Sequence, residues 1–371
     1  MFGISNLIII NMEHKDGVKV FDLSKLQKQP DLPTEFMWPL EDLVNANPEE
    51  LDEPLIDLEK FARGDDRAKA AELVRKACIS HGFFQVINHG VDASLIQAAH
   101  EELDAIFKLP FDKKLSIRKP GSLAGYSGGH AHRYASKLPW KETFSFIYHE
   151  NSSEAIVVDY FKSVLGQDFE RKGWVYQKYC EALKKVSRVI FELLALSLGV
   201  EDGLHFQKYF EDGSSILRCN YYPQCNNPGQ ALGTGPHYDP TSLTILHQDQ
   251  VGGLEVFVDE KWQTVRPRAD ALVINIGDTF MALSNGNFKS CLHRAVVNSE
   301  TVRKSFAFFV SPKEDKVVKP PEDLVSRDGS RKYPDFTWSD LLEFTQKHHR
   351  ADTGTLKSFV EWSLSHPKTS I

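Results

Sequence analysis

Apolar positions recur at helical spacing through most of the first half of the chain and alternate with a period of two through much of the second. The opening stretch follows neither pattern. Pro30, Pro33, Pro39 and Pro48 interrupt it, and acidic residues cluster from Glu49 to Glu53. Residues 1–50 therefore read as an irregular N-terminal arm, packed along a surface or partly disordered. Ala71, Val74, Ala77 and Cys78 share one helical face and predict a helix from Arg67 to Ser80. The apolar run from Gly82 to Ile87 predicts a short buried strand, and Gly90 begins a turn. A second helix is expected from Ala93 to Phe107, ending before Pro110. Glycines at 121, 125, 128 and 129 make 118–134 a loop or hairpin placed to close over a cavity. The longest helix is predicted from Phe169 to Leu198. Its stripe of Tyr179, Leu183, Val186, Ile190, Leu193 and Leu196 belongs to core packing, not to a cofactor box.

Near Ser214 the period changes. Ile216 to Tyr222, Ser242 to Leu246, Gly253 to Val258, Trp262 to Val265, Ala271 to Ile276, His293 to Val297 and Ser305 to Val310 read as short strands separated by turn signals. Many short strands at such intervals predict a sandwich or jelly roll. Trp338 to Lys347 and Leu356 to Leu364 return to helical spacing. No glycine-rich phosphate loop follows a strand, so a nucleotide-binding fold is unsupported.

Composition adds limits. Of 371 residues, 41% are hydrophobic and 26% charged, an ordinary globular balance with enough apolar mass for a sizeable core. The formal net charge of −7 argues against a nucleic-acid or anionic-membrane partner. Five cysteines without a CxxC pair fit a reducing compartment better than a disulfide scaffold. The apolar run Leu7 to Ile10 has no basic segment before it and no small-residue cleavage site after it. The expectation is a cytoplasmic chain with no signal peptide and no membrane span.

Two histidines and one carboxylate on one face hold iron(II) and leave positions open for oxygen chemistry. A His-x-Asp triplet in a strand supplies two of the three, because residues i and i+2 share a face. Three such triplets occur: His14-Lys15-Asp16, His237-Tyr238-Asp239 and His247-Gln248-Asp249. The first lies in the irregular arm, and the polar end of the third reads as a turn. The second follows Gly233-Thr234-Gly235-Pro236, which lets the backbone bend into a strand. On spacing alone, a solvated histidine beside a turn aspartate explains it equally well. Its context favours the metal. His293 lies in the strand-like run Cys291 to Val296, and ten residues later come Arg303 and Ser305, which share a face. An arginine fork beside a hydroxyl suits a carboxylate.

In that order, His237-x-Asp239, His293 and Arg303-x-Ser305 resemble the signature of plant iron(II)/2-oxoglutarate-dependent dioxygenases, and Asn220-Tyr221-Tyr222-Pro223 resembles another element of that family. The resemblance spans about Leu51 to Pro312. It implies an α+β fold, a double-stranded β-helix (jelly roll) core with surrounding helices. The implied organisation is an irregular arm over 1–50, a mainly helical N-terminal dioxygenase region over 51–210, the jelly-roll core over 211–313 and a helical tail packing on that core over 314–371. Leu138-Pro139-Trp140-Lys141-Glu142-Thr143, the run from Gly233 to Asp249 and the run from Asn275 to Asn285 further resemble gibberellin 20-oxidases.

What the resemblance implies carries over residue by residue. His237, Asp239 and His293 would bind iron(II). Arg303 and Ser305 would hold the distal carboxylate of 2-oxoglutarate, with Tyr222 and Asn220 beside it. Trp140, Lys141 and Thr143 would face the gibberellin, although Trp140 fits a core aromatic equally well. O2 and ascorbate complete the implied cofactors. The implied substrate is a diterpenoid carboxylate oxidised successively at carbon 20, and the implied enzyme is a monomer. Oxidation of a flavonoid or another hormone precursor, and a non-catalytic jelly-roll protein, remain as alternatives. One departure stands out: many gibberellin 20-oxidases carry cysteine where this chain has Tyr238.

Overall fold

Two sheets face each other where the sequence period changes to two. The computed structural model describes residues 12–13, 19–43, 48–118, 122–130, 137–150, 155–347 and 354–366. The larger sheet has eight strands, in the spatial order Leu55–Asp57, Phe83–Ile87, Leu272–Ile276, Leu243–Gln248, Arg303–Val310, Ser215–Tyr222, Glu142–Tyr148 and Gly125–Gly128. Its neighbours are antiparallel except for the first pair, which is parallel. The smaller sheet runs Lys261–Thr264, Leu254–Val258, His293–Val296 and Leu232–His237. Asp259 and Glu260, both at positive φ, turn its hairpin as the sequence expects. Together the sheets form the jelly roll.

Alternation assigns each strand two tasks. On Arg303–Val310, Phe306, Phe308 and Val310 are fully buried in the main core, whereas Arg303, Ser305 and Ala307 line a cavity between the sheets. On Ser215–Tyr222, Leu217 and Cys219 face the core while Arg218, Asn220 and Tyr222 line the cavity. The main core lies between the larger sheet and the helices Arg67–Ser80, Ala93–Phe107, Ile156–Leu165 and Glu170–Leu198. A smaller apolar cluster, including Leu246, Val273 and Ala307 from one sheet and Leu254, Val256 and Val258 from the other, closes the far end of the barrel.

Most predicted elements stand where periodicity put them, and the departures have local causes. Leu196 is 40% exposed and falls outside the core stripe of the long helix, which continues past Leu193 through Leu194 and Leu198 instead. The third His-x-Asp triplet is not a turn at its start: the strand continues through His247 and Gln248, both buried. Asp239 lies two residues beyond the end of its strand, not within it. The region 51–210 is less purely helical than its periodicity suggests, since it supplies four of the eight strands of the larger sheet. The 118–134 stretch forms a hairpin through Gly125–Gly128 and Glu142–Tyr148, with 119–121 and 131–136 outside the described residues. The apolar run Leu7 to Ile10 and the triplet His14-Lys15-Asp16 also lie outside them.

The described part of the N-terminal arm packs on the barrel. Phe21, Leu23, Leu26, Leu32 and Phe36 form a satellite core with Leu138 and Trp140. Trp38 lies against Gly235, where a Cβ would come within 2.2 Å of the indole. In the tail, Leu341, Phe344, Leu356 and Phe359 join the main core.

Candidate active site

The end of one strand and the start of another bring the three expected ligands together. His237 ends Leu232–His237, His293 begins His293–Val296, and the two are direct cross-strand partners. Asp239 reaches between them from just past the strand end. His237 Nε2 lies 3.7 Å from Asp239 Oδ1, and His293 Nε2 lies 3.7 Å from Asp239 Oδ2. Ligand atoms of all three fall within 4.8 Å of one another.

Each ligand is oriented from behind. Nδ1 of His237 lies 2.9 Å from the Gly235 carbonyl, and Nδ1 of His293 lies 3.1 Å from the Cys291 carbonyl. Those contacts place the proton on Nδ1 and leave the Nε2 lone pairs facing each other, the arrangement a metal ligand needs. Asp239 Oδ2 accepts hydrogen bonds from Thr244 Oγ1 (2.6 Å) and Asn275 Nδ2 (2.9 Å). The backbone behind Asp239 is equally constrained. Its carbonyl accepts from Asp278 N–H at 2.8 Å, and a Cβ on Gly277 would fall 1.9 Å from the Thr241 carbonyl oxygen. Burial and the neighbouring His293 push His237 down to about 3, so its imidazole is neutral at physiological pH. Burial would push Asp239 up, but the two imidazoles and the bonds from Thr244 and Asn275 outweigh it and hold the carboxyl below its usual range.

The other end of the same cavity is built for an anion. Arg303 is 2% exposed, and its guanidinium donates to the Gly252 carbonyl and, at 3.1 Å, to Gln248 Oε1. Its Nη1 is buried without a hydrogen-bond partner. The guanidinium lies 4.8 Å from the Tyr222 ring centroid. Asn220 Nδ2 donates to Ser305 Oγ at 3.2 Å, and Tyr222 Oη lies 3.4 Å from Thr234 Oγ1. Burial would push the Tyr222 phenol up, but Lys141 and Arg303 reverse the shift and lower it. Burying an arginine with an unused donor costs free energy unless a ligand supplies the acceptor. A carboxylate at Nη1 does so, in a cavity that His237, Asp239 and His293 also line.

The remaining candidates separate. Lys141 lines the cavity, whereas Trp140 and Thr143 are not among its lining residues. Trp140 is 1% exposed, stacks edge-on against Phe36, and donates its indole N–H to the carbonyls of Pro223 and Gln224. It is the core aromatic that the sequence left as an alternative. Gln248, Thr244, Asn275 and Thr234 all line the site or hold its members, and none was singled out from the sequence. Their signal was available in the alternation: each is a polar residue at an inward position of a strand.

With this geometry in place, comparison with known proteins is direct. The 2OG-Fe(II) oxygenase superfamily matches residues 213–312, and the N-terminal region described as non-haem dioxygenase in morphine synthesis matches residues 54–163. Gibberellin 20 oxidase 2 of Arabidopsis thaliana is 53% identical over 349 residues, covering 94% of this chain and 91% of its own length. Gibberellin 20 oxidase 2 of Oryza sativa subsp. indica is 54% identical over 340 residues, covering 91% and 86%. Among solved structures, that of JOX2 in complex with 2OG, Fe and JA superposes with a TM-score of 0.78 at 31% identity, covering 92% of this chain and 98% of that one.

Proposed function

The chain belongs to the gibberellin 20-oxidase family of 2-oxoglutarate- and iron(II)-dependent oxygenases, and from that premise we propose how its residues divide the work. The protein is a dioxygenase that oxidises carbon 20 of C20 gibberellin precursors in successive steps, using iron(II), 2-oxoglutarate and O2, with ascorbate as reductant. Iron bound with these partners supplies the oxidising chemistry: 2-oxoglutarate is decarboxylated to succinate while substrate carbon is oxidised. The readings as a flavonoid enzyme or a non-catalytic jelly roll give way to that membership.

In this proposal His237, Asp239 and His293 hold the iron. The observation that carries it is their convergence in the same cavity as the unpartnered Nη1 of buried Arg303. The donor set fits, with two imidazoles presenting Nε2 and a carboxylate held ionised. Thr244 and Asn275 fix the Asp239 carboxylate, and the Gly235 and Cys291 carbonyls fix the rings. Arg303 and Ser305 take the distal carboxylate of the co-substrate, with Asn220 and Tyr222 lining its path. The two sheets enclose the reacting centre on most sides, with Asp239 and His293 buried and His237 partly exposed. The same reading has the enzyme act as a cytoplasmic monomer. Five unpaired cysteines support the first point.

The test is turnover of a labelled C20 gibberellin by purified protein with iron(II), ascorbate and 2-oxoglutarate, read as products and succinate. His237→Ala should abolish both. Full activity in that variant would remove His237 from the metal site.

A further inference from the structure

The cavity holds a second buried cation that the iron and Arg303 leave unexplained. Lys141 is 5% exposed, and its Nζ donates to Thr234 Oγ1 at 2.9 Å and Asn220 Oδ1 at 3.5 Å, both neutral. Among the described residues it forms no ion pair with a carboxylate. The adjacent Glu142 cannot serve, because it faces the other side of its strand and pairs with buried Lys114 at 2.7 Å. Lys141 Nζ also lies 5.8 Å from the centroid of the Tyr222 ring, the same ring that carries the Arg303 guanidinium at 4.8 Å. Two like charges thus flank one aromatic ring in a buried space, and among the described residues neither forms an ion pair with a carboxylate; Asp239 is the carboxylate nearest in effect to Lys141.

The position is built. Trp140 N–H donates to the Leu232 carbonyl at 2.8 Å, which ties this segment to the smaller sheet, and Gly129 N–H donates to the Lys141 carbonyl at 2.9 Å. The pinned indole of Trp140 fixes the residue before Lys141, so the ammonium enters the cavity at a set height. Burial pushes Lys141 down to about 8, reinforced by Arg218 and Arg303 and opposed by Tyr222 and Asp239. A buried cation destabilised in this way gains most from an arriving anion.

We propose that Lys141 is a binding residue for the 2-oxoglutarate dianion, sharing its negative charge with Arg303, and does not contact the gibberellin. Its hydrogen-bond partners decide the assignment. Asn220 bonds Ser305, Thr234 approaches Tyr222, and both belong to the cluster that surrounds the Arg303 end. The inference rests on the proposed placement of 2-oxoglutarate beside Arg303.

The experiment is anaerobic calorimetry on Mn(II)-loaded protein, measuring 2-oxoglutarate binding and then gibberellin binding to the 2-oxoglutarate complex. Removing one buried charged partner of a ligand typically weakens binding by about 30-fold or more. Lys141→Met should therefore weaken 2-oxoglutarate by that factor and leave gibberellin affinity within about threefold. Lys141→Arg should recover most of the loss. Thr234→Val, which leaves the charge and removes only its hydrogen bond, should give a smaller weakening of the same ligand and covers the case in which Lys141→Met misfolds. Unchanged 2-oxoglutarate affinity in Lys141→Met, with or without weakened gibberellin binding, overturns the inference. If the wild type itself bound 2-oxoglutarate no better than Arg303→Ala, the underlying placement would fail instead, and the two failures are distinguishable.

Discussion

His237-Tyr238-Asp239 and His247-Gln248-Asp249 share a pattern, lie ten residues apart, and do opposite things. In the first triplet the outer residues point into the cavity and the middle one points away. In the second the parity is reversed. His247 faces the helices, where its Nδ1 lies 3.0 Å from His100 Nε2, and Gln248 turns inward to Arg303. Asp249 lies at the strand end and accepts backbone N–H from Lys304 and Val251. Pairing register is the physical difference. Leu243–Gln248 is locked between Arg303–Val310 and Leu272–Ile276, so the parity of each side chain is fixed by a fully buried core face. Leu232–His237 ends at the cavity mouth, where Asp239 escapes the sheet and can converge on two histidines. A motif of two residue types therefore says little until its strand has an inside and an outside.

The sharpest way to separate the triplets is to remove both aspartates. Asp239→Ala should lose metal binding and lower turnover by roughly a thousandfold or more, since among the described residues no other carboxylate lines the centre. Asp249→Ala should retain the metal and most activity. Metal titration of the two variants checks this, and equal losses would erase the distinction.

The histidines should differ in stability. Burial, with His89 adding to it, pushes His247 down to about 4, and burial, His247 and Lys304 push His100 down to about 3. Both are depressed below the value of an unfolded histidine, so the unfolded chain binds protons first. Stability contributed by the neutral pair is complete above about pH 6.5 and falls as pH drops towards 4. For His247 alone the loss at pH 5 is about 2 kcal/mol. Urea unfolding at pH 7 and pH 5 should show a smaller acid loss in His247→Leu than in the wild type. An identical loss would mean that another group controls acid unfolding.

The inward residue of the second triplet comes next. Gln248→Leu leaves the charge of Arg303 but removes the acceptor that aims it, so the KM for 2-oxoglutarate should rise about tenfold, the worth of one buried hydrogen bond to a charged group. The KM for gibberellin and the affinity for metal should hold. A rise in both KM values would point to general distortion of the barrel.

These residues also mark how far the sequence could be read. The helices Arg67–Ser80 and Ala93–Phe107 were legible to the residue, because the apolar period is strong in the first and Pro110 marks the end of the second. The convergence of His237, Asp239 and His293 in one cavity with Arg303 was legible through order and spacing. Gln248 was not. A polar pair at the end of an apolar strand reads as a turn, whereas inside a barrel that holds a charged ligand the inward positions are the polar ones. Trp140 stayed ambiguous for the converse reason. An aromatic next to inward Lys141 looks like a substrate contact, but its partner is Phe36, about a hundred residues away in an arm whose local pattern is irregular. Alternation tells which side chains share a face and is silent about what that face meets.

Tyr238 should show the smallest effect, although it lies between two ligands. Its side chain is half-buried, does not line the cavity, and lies on the side of Cys291 and Asp278, whose influence together with burial pushes its phenol up. The ring is therefore neutral at any working pH and contributes no charge to the centre. Its link to the chemistry is the backbone it shares with His237 and Asp239, and that backbone is held independently by Gly235, Gly277 and Asp278. Tyr238→Cys removes a half-buried ring and should cost about 1 kcal/mol of stability, seen as a modest fall in Tm. Metal affinity and the KM for 2-oxoglutarate should remain within about twofold, because the variant changes neither a ligand nor a group behind one. The ratio of products that lose carbon 20 to products that keep it as a carboxylic acid should also hold. A change in that ratio without a change in metal affinity would show that the outward side of the first triplet reaches the gibberellin after all, and parity would no longer separate the two triplets.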